Sequence, residues 1–164
     1  MDNKAKPLPF MGVGPIYVAT VLFITVAATY VTVRDMVRAV SFGIFYPLIA
    51  ILAVLLIATG IYIWTKAVFV SKIDRQIKHN RLVTSGIYAW VRNPIYTAFL
   101  FICTGTLLLC NNLLLLFLPF LYWLFLTLLM IHTEEKWLGK KFGKKYLDYK
   151  KQVNRCFPSK PHSK

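Results

Sequence analysis

Long apolar runs alternate with short polar segments along the chain, and the runs are long enough to cross a lipid bilayer. Residues 14–33 form an apolar run of 20 residues, and residues 42–65 form a second of 24. Two further runs, 95–109 and 113–131, are separated by only three residues. A spanning helix needs about 20 apolar residues, with a range of roughly 17 to 25. The pattern therefore predicts four membrane helices, the last two forming a tight hairpin.

The third run is short, so we expect its helix to begin earlier or to cross a thinned region as part of the hairpin. After the fourth run, Leu138, Phe142, Tyr146 and Tyr149 recur at helical spacing between lysines. This spacing predicts a basic amphipathic helix. The predicted fold class is an all-α membrane protein, a single domain over residues 1–164, with a bundle of about four transmembrane helices.

Charge is distributed unevenly between the segments that join these helices. The 164 residues are 57% hydrophobic and carry a net charge of +14, with 20 Lys and Arg against 6 Asp and Glu. In so apolar a chain this charge indicates anionic lipid headgroups rather than nucleic acid as partners. Eighteen of the 20 basic residues lie in the two tails and in the loop between the second and third runs. The positive-inside rule places these segments in the cytoplasm, at the endoplasmic reticulum of a eukaryote or the plasma membrane of a prokaryote.

A polar motif, LVTSGIYAWVRNPIY, ends that cytoplasmic loop. Asn is a favoured helix N-cap and Pro is favoured at the first helical position, so Asn93 and Pro94 are predicted to start the third helix. Arg92 is predicted to snorkel toward the headgroups. These roles explain the motif structurally. A helix N-terminus beside an arginine also suits an anionic ligand group, so the motif is a candidate site as well.

Two adjacent carboxylates follow the fourth run. Glu134 and Glu135 stand at the start of a strongly basic tail. They can pair with Lys136, Lys140 or Lys141 on a solvated face, or they can hold a cationic ligand group at the mouth of the bundle. The sequence leaves both alternatives open. No metal site is predicted, because no Cys or His residues stand at metal-ligand spacing.

The two cytoplasmic segments together resemble the isoprenylcysteine carboxyl methyltransferases, integral-membrane enzymes that use S-adenosylmethionine. The resemblance rests on LVTSGIYAWVRNPIY, on LLLCNN in the hairpin and on EEKWLGKKFGKKYLDYKKQV. It covers about residues 66 to 158, in the same order and with the same spacing as the family's motifs. The first two runs match only as hydrophobic helices. The resemblance implies that the cytoplasmic loop and the C-terminal helix form a cofactor site.

The resemblance also implies which residues bind S-adenosylmethionine. A helix N-terminus suits the carboxylate of this cofactor and Glu134 suits its ammonium. By position, the residues implied at the cofactor are Asn80, Arg81, Leu82, Val83, Tyr88, Asn93, Pro94, Ile95, Tyr96 and Glu134.

Two positions depart from the family's pattern. Asn93 stands where eukaryotic members usually have His, which removes a titrating group. The Arg that those members carry shortly before the Glu run is missing, and the nearby residues are Met130 and His132.

The predicted catalytic residues follow from what methyl transfer needs. A carboxylate acceptor is already ionised at pH 7 and needs no general base, and Arg92 and Arg155 are the cations that can attract it. An amine acceptor must first lose a proton, for which His132 or Glu135 is the candidate. Arg155, Arg92 and His132 are therefore the predicted catalytic set.

Three functions are consistent with these features. The first is O-methylation of the carboxylate of a lipidated cysteine or a similar lipophilic acid, on a lipidated protein or a small molecule. The second is N-methylation of a phospholipid headgroup, because membrane phospholipid methyltransferases share the R-x-P and Glu-Glu features. The third is a catalytically silent membrane protein whose basic tail binds anionic lipid.

Overall fold

The structure is a computed structural model that describes residues 13–36, 40–70 and 82–159. Within these ranges the chain is helical and has no strand. Short 3-10 helices at Gly43–Phe45, Gly86–Ala89 and Leu113–Leu116, and a π-helical turn at Lys66–Val70, flank or join the α-helices. The α-helices of the described ranges are α1 Gly14–Val33, α2 Tyr46–Thr65, α3 Pro94–Leu109, α4 Phe117–His132, α5 Glu134–Phe142 and α6 Lys144–Gln152.

The predicted all-α membrane fold is confirmed. Three helical stretches are long and apolar enough to cross a membrane, namely Gly14–Val33, Gly43–Phe69 and Leu113–Phe142. The shorter apolar helix α3 has 16 residues. Sixteen residues rise roughly 24 Å, less than a hydrocarbon core of about 30 Å. The third helix begins at Pro94, one residue before the predicted start, so the helix is as short as the apolar run.

The core of the bundle lies where α1, α3 and α4 meet. Tyr17 and Val21 of α1 are fully buried there against Leu107 of α3 and Leu126 of α4. The hydroxyls of Thr25 and Tyr122 form a hydrogen bond of 3.0 Å between α1 and α4. Many large apolar side chains instead face outward, as expected of helices whose outer surface meets lipid. Examples are Phe23, Val26, Leu48, Ile51, Leu55 and Phe120.

Helices α2 and α3 pack closely because two glycines lie at their contact. A Cβ atom placed on Gly60 would lie 2.8 Å from the carbonyl oxygen of Ala98. One placed on Gly105 would lie 2.6 Å from the carbonyl oxygen of Ala53. Small residues at membrane helix interfaces let the two backbones approach and gain dispersion contacts. Through this packing α2 fixes the position of α3, which carries the RNP motif at its N-terminus.

The opposite end of the bundle is closed by the two asparagines of the hairpin. Asn111 adopts a left-handed backbone conformation with φ of 50°, and its side-chain oxygen accepts from the amide of Phe42 at 2.9 Å. The Asn112 side-chain oxygen accepts from the amides of Leu114 at 3.1 Å and Val40 at 3.3 Å. Asn112 thus caps the helical segment that leads into α4 and attaches the loop before α2 to the hairpin.

Asn112→Ala should destabilise this end of the bundle by about 1–2 kcal/mol, because it removes a helix cap and a second hydrogen bond in a buried place. Asn112→Ser keeps a capping oxygen and should lose less. Thermal unfolding of the detergent-solubilised variants would measure both effects. Equal unfolding temperatures for Asn112→Ala and the wild type would contradict the role given to this side chain.

The C-terminal segment differs from the single amphipathic helix that the sequence predicts. It divides at Gly143, whose φ of 52° and ψ of −129° lie in a region that side chains rarely adopt. The chain then turns, so that α5 and α6 are separate helices. Their apolar residues nevertheless share one cluster, as the spacing predicted. This cluster comprises Tyr146, Tyr149 and Val153, with Leu82, Leu138 and Phe142 packed against them.

Candidate functional site

One end of the bundle gathers the polar motifs. Helix α4 ends at His132, and α5 begins at once with Glu134 and Glu135 in its first turn. Helix α3 begins at the same end, since the Tyr96 hydroxyl of its first turn reaches Glu134. The N-terminus of α1 lies there too, because a Cβ atom on Gly14 would be 2.7 Å from the Tyr96 hydroxyl. The two motifs that the sequence singled out therefore face each other.

Glu134 is held by neutral donors. Its carboxylate accepts a hydrogen bond of 2.7 Å from the Tyr96 hydroxyl and another from the backbone N–H of Val13. The Tyr96 ring packs edge-on against Tyr17, with ring centroids 5.8 Å apart. Among the described residues, no lysine or arginine forms a salt bridge with Glu134. Its negative charge is therefore positioned by tyrosine and backbone but not neutralised by the described part of the chain.

Glu135, in contrast, forms salt bridges with three cations. Its Oε1 accepts from Arg155 Nε at 2.6 Å and from Arg92 Nη1 at 3.1 Å, and its Oε2 accepts from Lys150 Nζ at 2.6 Å. The Glu135 side chain is only 5% exposed and that of Arg92 only 8% exposed. We call these four residues the Glu135 hub. The hub carries three positive charges and one negative charge, so it attracts anions.

The C-terminal residues run alongside the RNP motif. The amide of Arg92 donates to the carbonyl of Asn154 at 2.9 Å, and the amide of Asn93 donates to the carbonyl of Arg155 at 3.3 Å. The amide of Ser159 donates to the carbonyl of Trp90 at 3.0 Å. We call residues 153–159 the strap. These backbone bonds fix the strap against the segment that leads into α3.

The loop before α3 packs on α6. Tyr88 is buried, and its carbonyl accepts a hydrogen bond of 2.6 Å from the Tyr149 hydroxyl. Burial raises the pKa of Tyr88 above its ordinary range, and the nearby Tyr149 and Glu134 reinforce the shift. The Tyr88 hydroxyl is therefore neutral at physiological pH and can act as a hydrogen-bond donor. Tyr88 also interacts electrostatically with Glu134.

Most residues expected at the cofactor belong to the loop before α3 and to the first turn of α3. Leu82, Val83, Tyr88, Asn93, Pro94, Ile95 and Tyr96 lie along the loop and the start of α3. Tyr96 contacts Glu134 directly, and Tyr88 is near both. Leu82 is turned toward the Tyr146 and Tyr149 cluster. Asn80 and Arg81 lie outside the described residues.

Several local expectations were wrong. Arg92 does not snorkel, because its guanidinium is drawn inward to Glu135. Asn93 precedes the helix as predicted, but its side chain makes no capping bond and instead donates to the carbonyl of Arg155 at 3.4 Å. Of the two alternatives left open for the glutamates, salt-bridge pairing is observed for Glu135, but with Arg92, Arg155 and Lys150 instead of Lys136, Lys140 or Lys141.

His132 and Arg155 occupy different places in the structure. His132 is exposed, and its Nδ1 lies 2.8 Å from the carbonyl oxygen of Leu128. Arg155 is in the hub, beside Arg92. The structure thus brings two of the three residues predicted to be catalytic together and leaves the third at the surface, and their catalytic roles stay predictions.

The sequence did not indicate two participants. Lys150 stood among many lysines with nothing to mark it as a partner of Glu135. Tyr17 lay in a run that matched only as a hydrophobic helix, although a tyrosine near the end of a membrane helix is a recognisable interfacial signal.

Comparison with known proteins agrees with the motifs. The sequence model of a family described as phospholipid methyltransferase matches residues 48–145. The chain is 33% identical to the protein-S-isoprenylcysteine O-methyltransferase of Saccharomyces cerevisiae over 127 residues, which are 72% of this chain and 52% of that protein. It is 42% identical to the Xenopus laevis protein of the same name over 78 residues, 47% of this chain and 27% of that protein. The Schizosaccharomyces pombe protein of that name is 39% identical over 90 residues, 54% of this chain and 37% of that protein.

The chain spans about half or less of the length of these curated relatives. The family match covers most of the chain, from α2 through the start of α6, and includes both the RNP motif and Glu134. The chain therefore belongs to the phospholipid methyltransferase family, and its similarity within that family to the protein-S-isoprenylcysteine O-methyltransferases confirms the relationship that its motifs predicted.

Proposed function

We propose that this protein transfers a methyl group from S-adenosylmethionine to the carboxylate of a lipophilic acceptor such as a prenylated cysteine, forming a methyl ester. The observation that carries the proposal is the contrast between two adjacent glutamates. Glu135 is neutralised by three cations, whereas Glu134 is positioned without a cation from the described chain. A half-buried carboxylate of this kind favours a cationic ligand group.

The residues around Glu134 fit the cofactor. Its carboxylate suits the ammonium of S-adenosylmethionine, and the first amides of α3 suit the cofactor's carboxylate. When bound, S-adenosylmethionine supplies a reactive methyl group on its sulfonium. The protein itself then has to bind and orient the cofactor and the acceptor, and to exclude water. Tyr96 orients Glu134, and the buried Pro94 and Tyr88 keep this wall of the site dry.

The Glu135 hub is the proposed place for the acceptor's carboxylate. Arg155 contacts Glu135 through Nε and Arg92 contacts it through Nη1, so each guanidinium retains donors for a second anion. The net positive charge of the hub supports binding of an acidic acceptor. A carboxylate at pH 7 needs no general base, so exposed His132 has no required part in ester formation.

A groove between α1 and α4 supports a lipophilic acceptor. It encloses about 140 Å³ between side chains of these two helices. One of its walls is Phe125, whose ring centroid is 5.9 Å from that of Tyr17, which in turn packs on Tyr96. These two ring contacts and the hydrogen bond from Tyr96 to Glu134 connect the groove to the proposed cofactor site. The groove is lined by Thr20, Val21, Ile24, Leu118, Leu121, Tyr122 and Phe125.

The description of the matching family favours a second candidate, N-methylation of a phospholipid headgroup. That reaction needs a group to remove a proton from the amine. Glu135 is poorly suited because three cations already stabilise its charge. His132 lies exposed at the end of α4, with its Nδ1 2.8 Å from the carbonyl oxygen of Leu128. The site therefore supports the carboxylate acceptor better.

The membrane orientation belongs to the same proposal. Val13, the described part of the loop before α3 and the strap all lie at the end of the bundle that carries Glu134. By the positive-inside rule this end faces the cytoplasm, with both termini on that side. The acceptor would then be a lipidated protein or small molecule at the cytoplasmic face of the endoplasmic reticulum or of a prokaryotic plasma membrane.

Radiolabelled S-adenosylmethionine, incubated with purified protein and either a prenylcysteine or phosphatidylethanolamine, tests the proposal. A base-labile labelled methyl ester on the prenylcysteine is the expected product. An alkali-stable methylamine would support the phospholipid reaction instead. Absence of saturable cofactor binding by calorimetry would favour a silent lipid-binding protein and overturn both enzyme proposals.

A further inference from the structure

The Glu135 hub joins four segments of the chain. Arg92 comes from the loop before α3, Glu135 from the first turn of α5, and Lys150 from α6. Arg155 comes from the strap. Glu135 is the only carboxylate among the four and contacts each of the other three. Removing it would leave three cations to repel one another, so the hub depends on this residue.

The two arginines of the hub are also bound to each other's segments through the backbone. The amide of Arg92 donates to Asn154, and the amide of the next residue, Asn93, donates to Arg155. Glu135 Oε1 accepts from both guanidinium groups. One carboxylate oxygen therefore sets the spacing of two cations whose backbones are already paired. Two guanidinium groups held side by side in this way can both donate hydrogen bonds to one carboxylate.

We propose that Glu135 is a positioning residue that aligns Arg92 and Arg155 for the acceptor's carboxylate and holds the strap against the RNP motif. The part of this proposal that concerns the acceptor rests on the proposed function. The part that concerns the strap does not. Glu135 itself does not touch the cofactor or the reacting atoms. Glu134 and Glu135 thus divide the work, the first toward the cofactor and the second toward the acceptor.

The chemical reactivity of Cys156 shows whether the strap is in place, and it can be measured without an activity assay. Its side chain is buried, and burial raises the pKa of the Cys156 thiol to about 11, although nearby Arg155 and Arg92 oppose the shift. A buried, protonated thiol reacts slowly with alkylating reagents. If the strap leaves its place, Cys156 becomes exposed and its reaction accelerates.

The test compares Glu135→Gln with Lys136→Gln, which changes the next residue, an exposed lysine outside the hub. Glu135→Gln should raise the KM for a prenylcysteine acceptor by about tenfold or more, since it removes charge-assisted bonds to both arginines. The Kd for S-adenosylmethionine should change by less than about threefold, because Glu134 is intact. Lys136→Gln should match the wild type in both constants.

Alkylation of Cys156, followed by peptide mass spectrometry to separate it from Cys103 and Cys110, supplies the second readout. Glu135→Gln should speed alkylation by about tenfold or more as the strap is released. In a double-mutant cycle, the double variant Glu135→Gln, Arg155→Met should raise the acceptor KM by a smaller factor than the product of the factors for the two single variants. Glu135→Asp, which keeps the charge, should recover part of the loss.

The outcomes separate the two proposals. If the wild type forms no methyl ester, the proposed function fails, and alkylation of Cys156 still decides whether Glu135 positions the strap. If the wild type is active, a Glu135→Gln protein with wild-type acceptor KM and wild-type alkylation overturns the positioning role. An equal loss of cofactor affinity and acceptor affinity would also overturn it, since that result indicates general disruption of the site.

Discussion

Glu134→Gln should weaken the binding of S-adenosylmethionine by about 10–100-fold, because a hydrogen bond to a charged group contributes about 1.5–3 kcal/mol. The substitution keeps the size of the side chain and can keep the bond from the Tyr96 hydroxyl, which is 2.7 Å long in the structure. What it removes is the negative charge that the described part of the chain leaves without a cationic partner. Isothermal calorimetry on detergent-solubilised protein measures the loss directly.

Tyr96→Phe provides the matched control for this prediction. It removes the donor that orients Glu134 but leaves the charge in place, so cofactor binding should weaken less, by about threefold to tenfold. Equal losses of cofactor affinity in the two variants would mean that binding depends on the orientation of Glu134 and not on its charge. A Glu134→Gln protein that binds as tightly as the wild type, with an unchanged unfolding temperature, would remove Glu134 from the cofactor site.

The helices could be predicted from sequence because the length that a membrane requires is a local property. Each apolar run must cover the same hydrocarbon thickness, and the polar residues at its ends mark where it stops. The runs at 14–33 and 42–65 match the observed helical stretches closely. The shortness of the third run was also visible, and α3 is as short as the sequence indicated.

The Glu135 hub could not be predicted, because its contacts depend on turns that the sequence encodes weakly. Arg92 precedes Glu135 by 43 residues, and Lys150 and Arg155 follow it by 15 and 20. In one straight helix a residue 15 positions away would lie roughly 22 Å from Glu135. The turn at Gly143 brings Lys150 back to 2.6 Å. A glycine inside an amphipathic pattern was the available signal, although glycine alone does not give the direction of the turn.

The site itself was partly predictable for a different reason. The order of the RNP motif and the Glu pair identified two segments of one site, and the structure brings Tyr96 and Glu134 into contact. The different roles proposed for Glu134 and Glu135 could not be predicted, since the sequence does not distinguish one of two adjacent glutamates from the other. Their environments differ because successive residues of a helix point about 100° apart. One therefore faces Tyr96 and the other faces the strap.

Replacing either interfacial glycine by alanine should destabilise the bundle by about 1–3 kcal/mol, which is the usual cost of forcing a methyl group into a packed interface. The neighbouring atoms include backbone carbonyl oxygens, which cannot rotate away as a side chain can. A Cβ atom on Gly105 would lie 2.6 Å from the carbonyl oxygen of Ala53, and one on Gly60 would lie 2.8 Å from that of Ala98. Thermal unfolding in detergent, together with the fraction of monodisperse protein, measures the effect.

Gly139→Ala is the control, because Gly139 is also helical but a Cβ atom there would meet nothing within 4 Å. Its replacement should stabilise the protein by about 0.4–1 kcal/mol, since alanine has the higher helix propensity. If all three alanine variants unfold at the same temperature, close packing of α2 on α3 is not what holds the bundle together.

The double variant Gly60→Ala, Gly105→Ala distinguishes local strain from separation of the two helices. Both glycines lie on the same α2–α3 contact, and a small movement of α3 away from α2 would relieve both clashes. The destabilisation of the double variant should therefore be smaller than the sum of the two single effects. Because α3 carries Tyr96 at its start, the same movement would draw the Tyr96 hydroxyl away from Glu134. Cofactor affinity should then fall with the first glycine replaced and change little with the second.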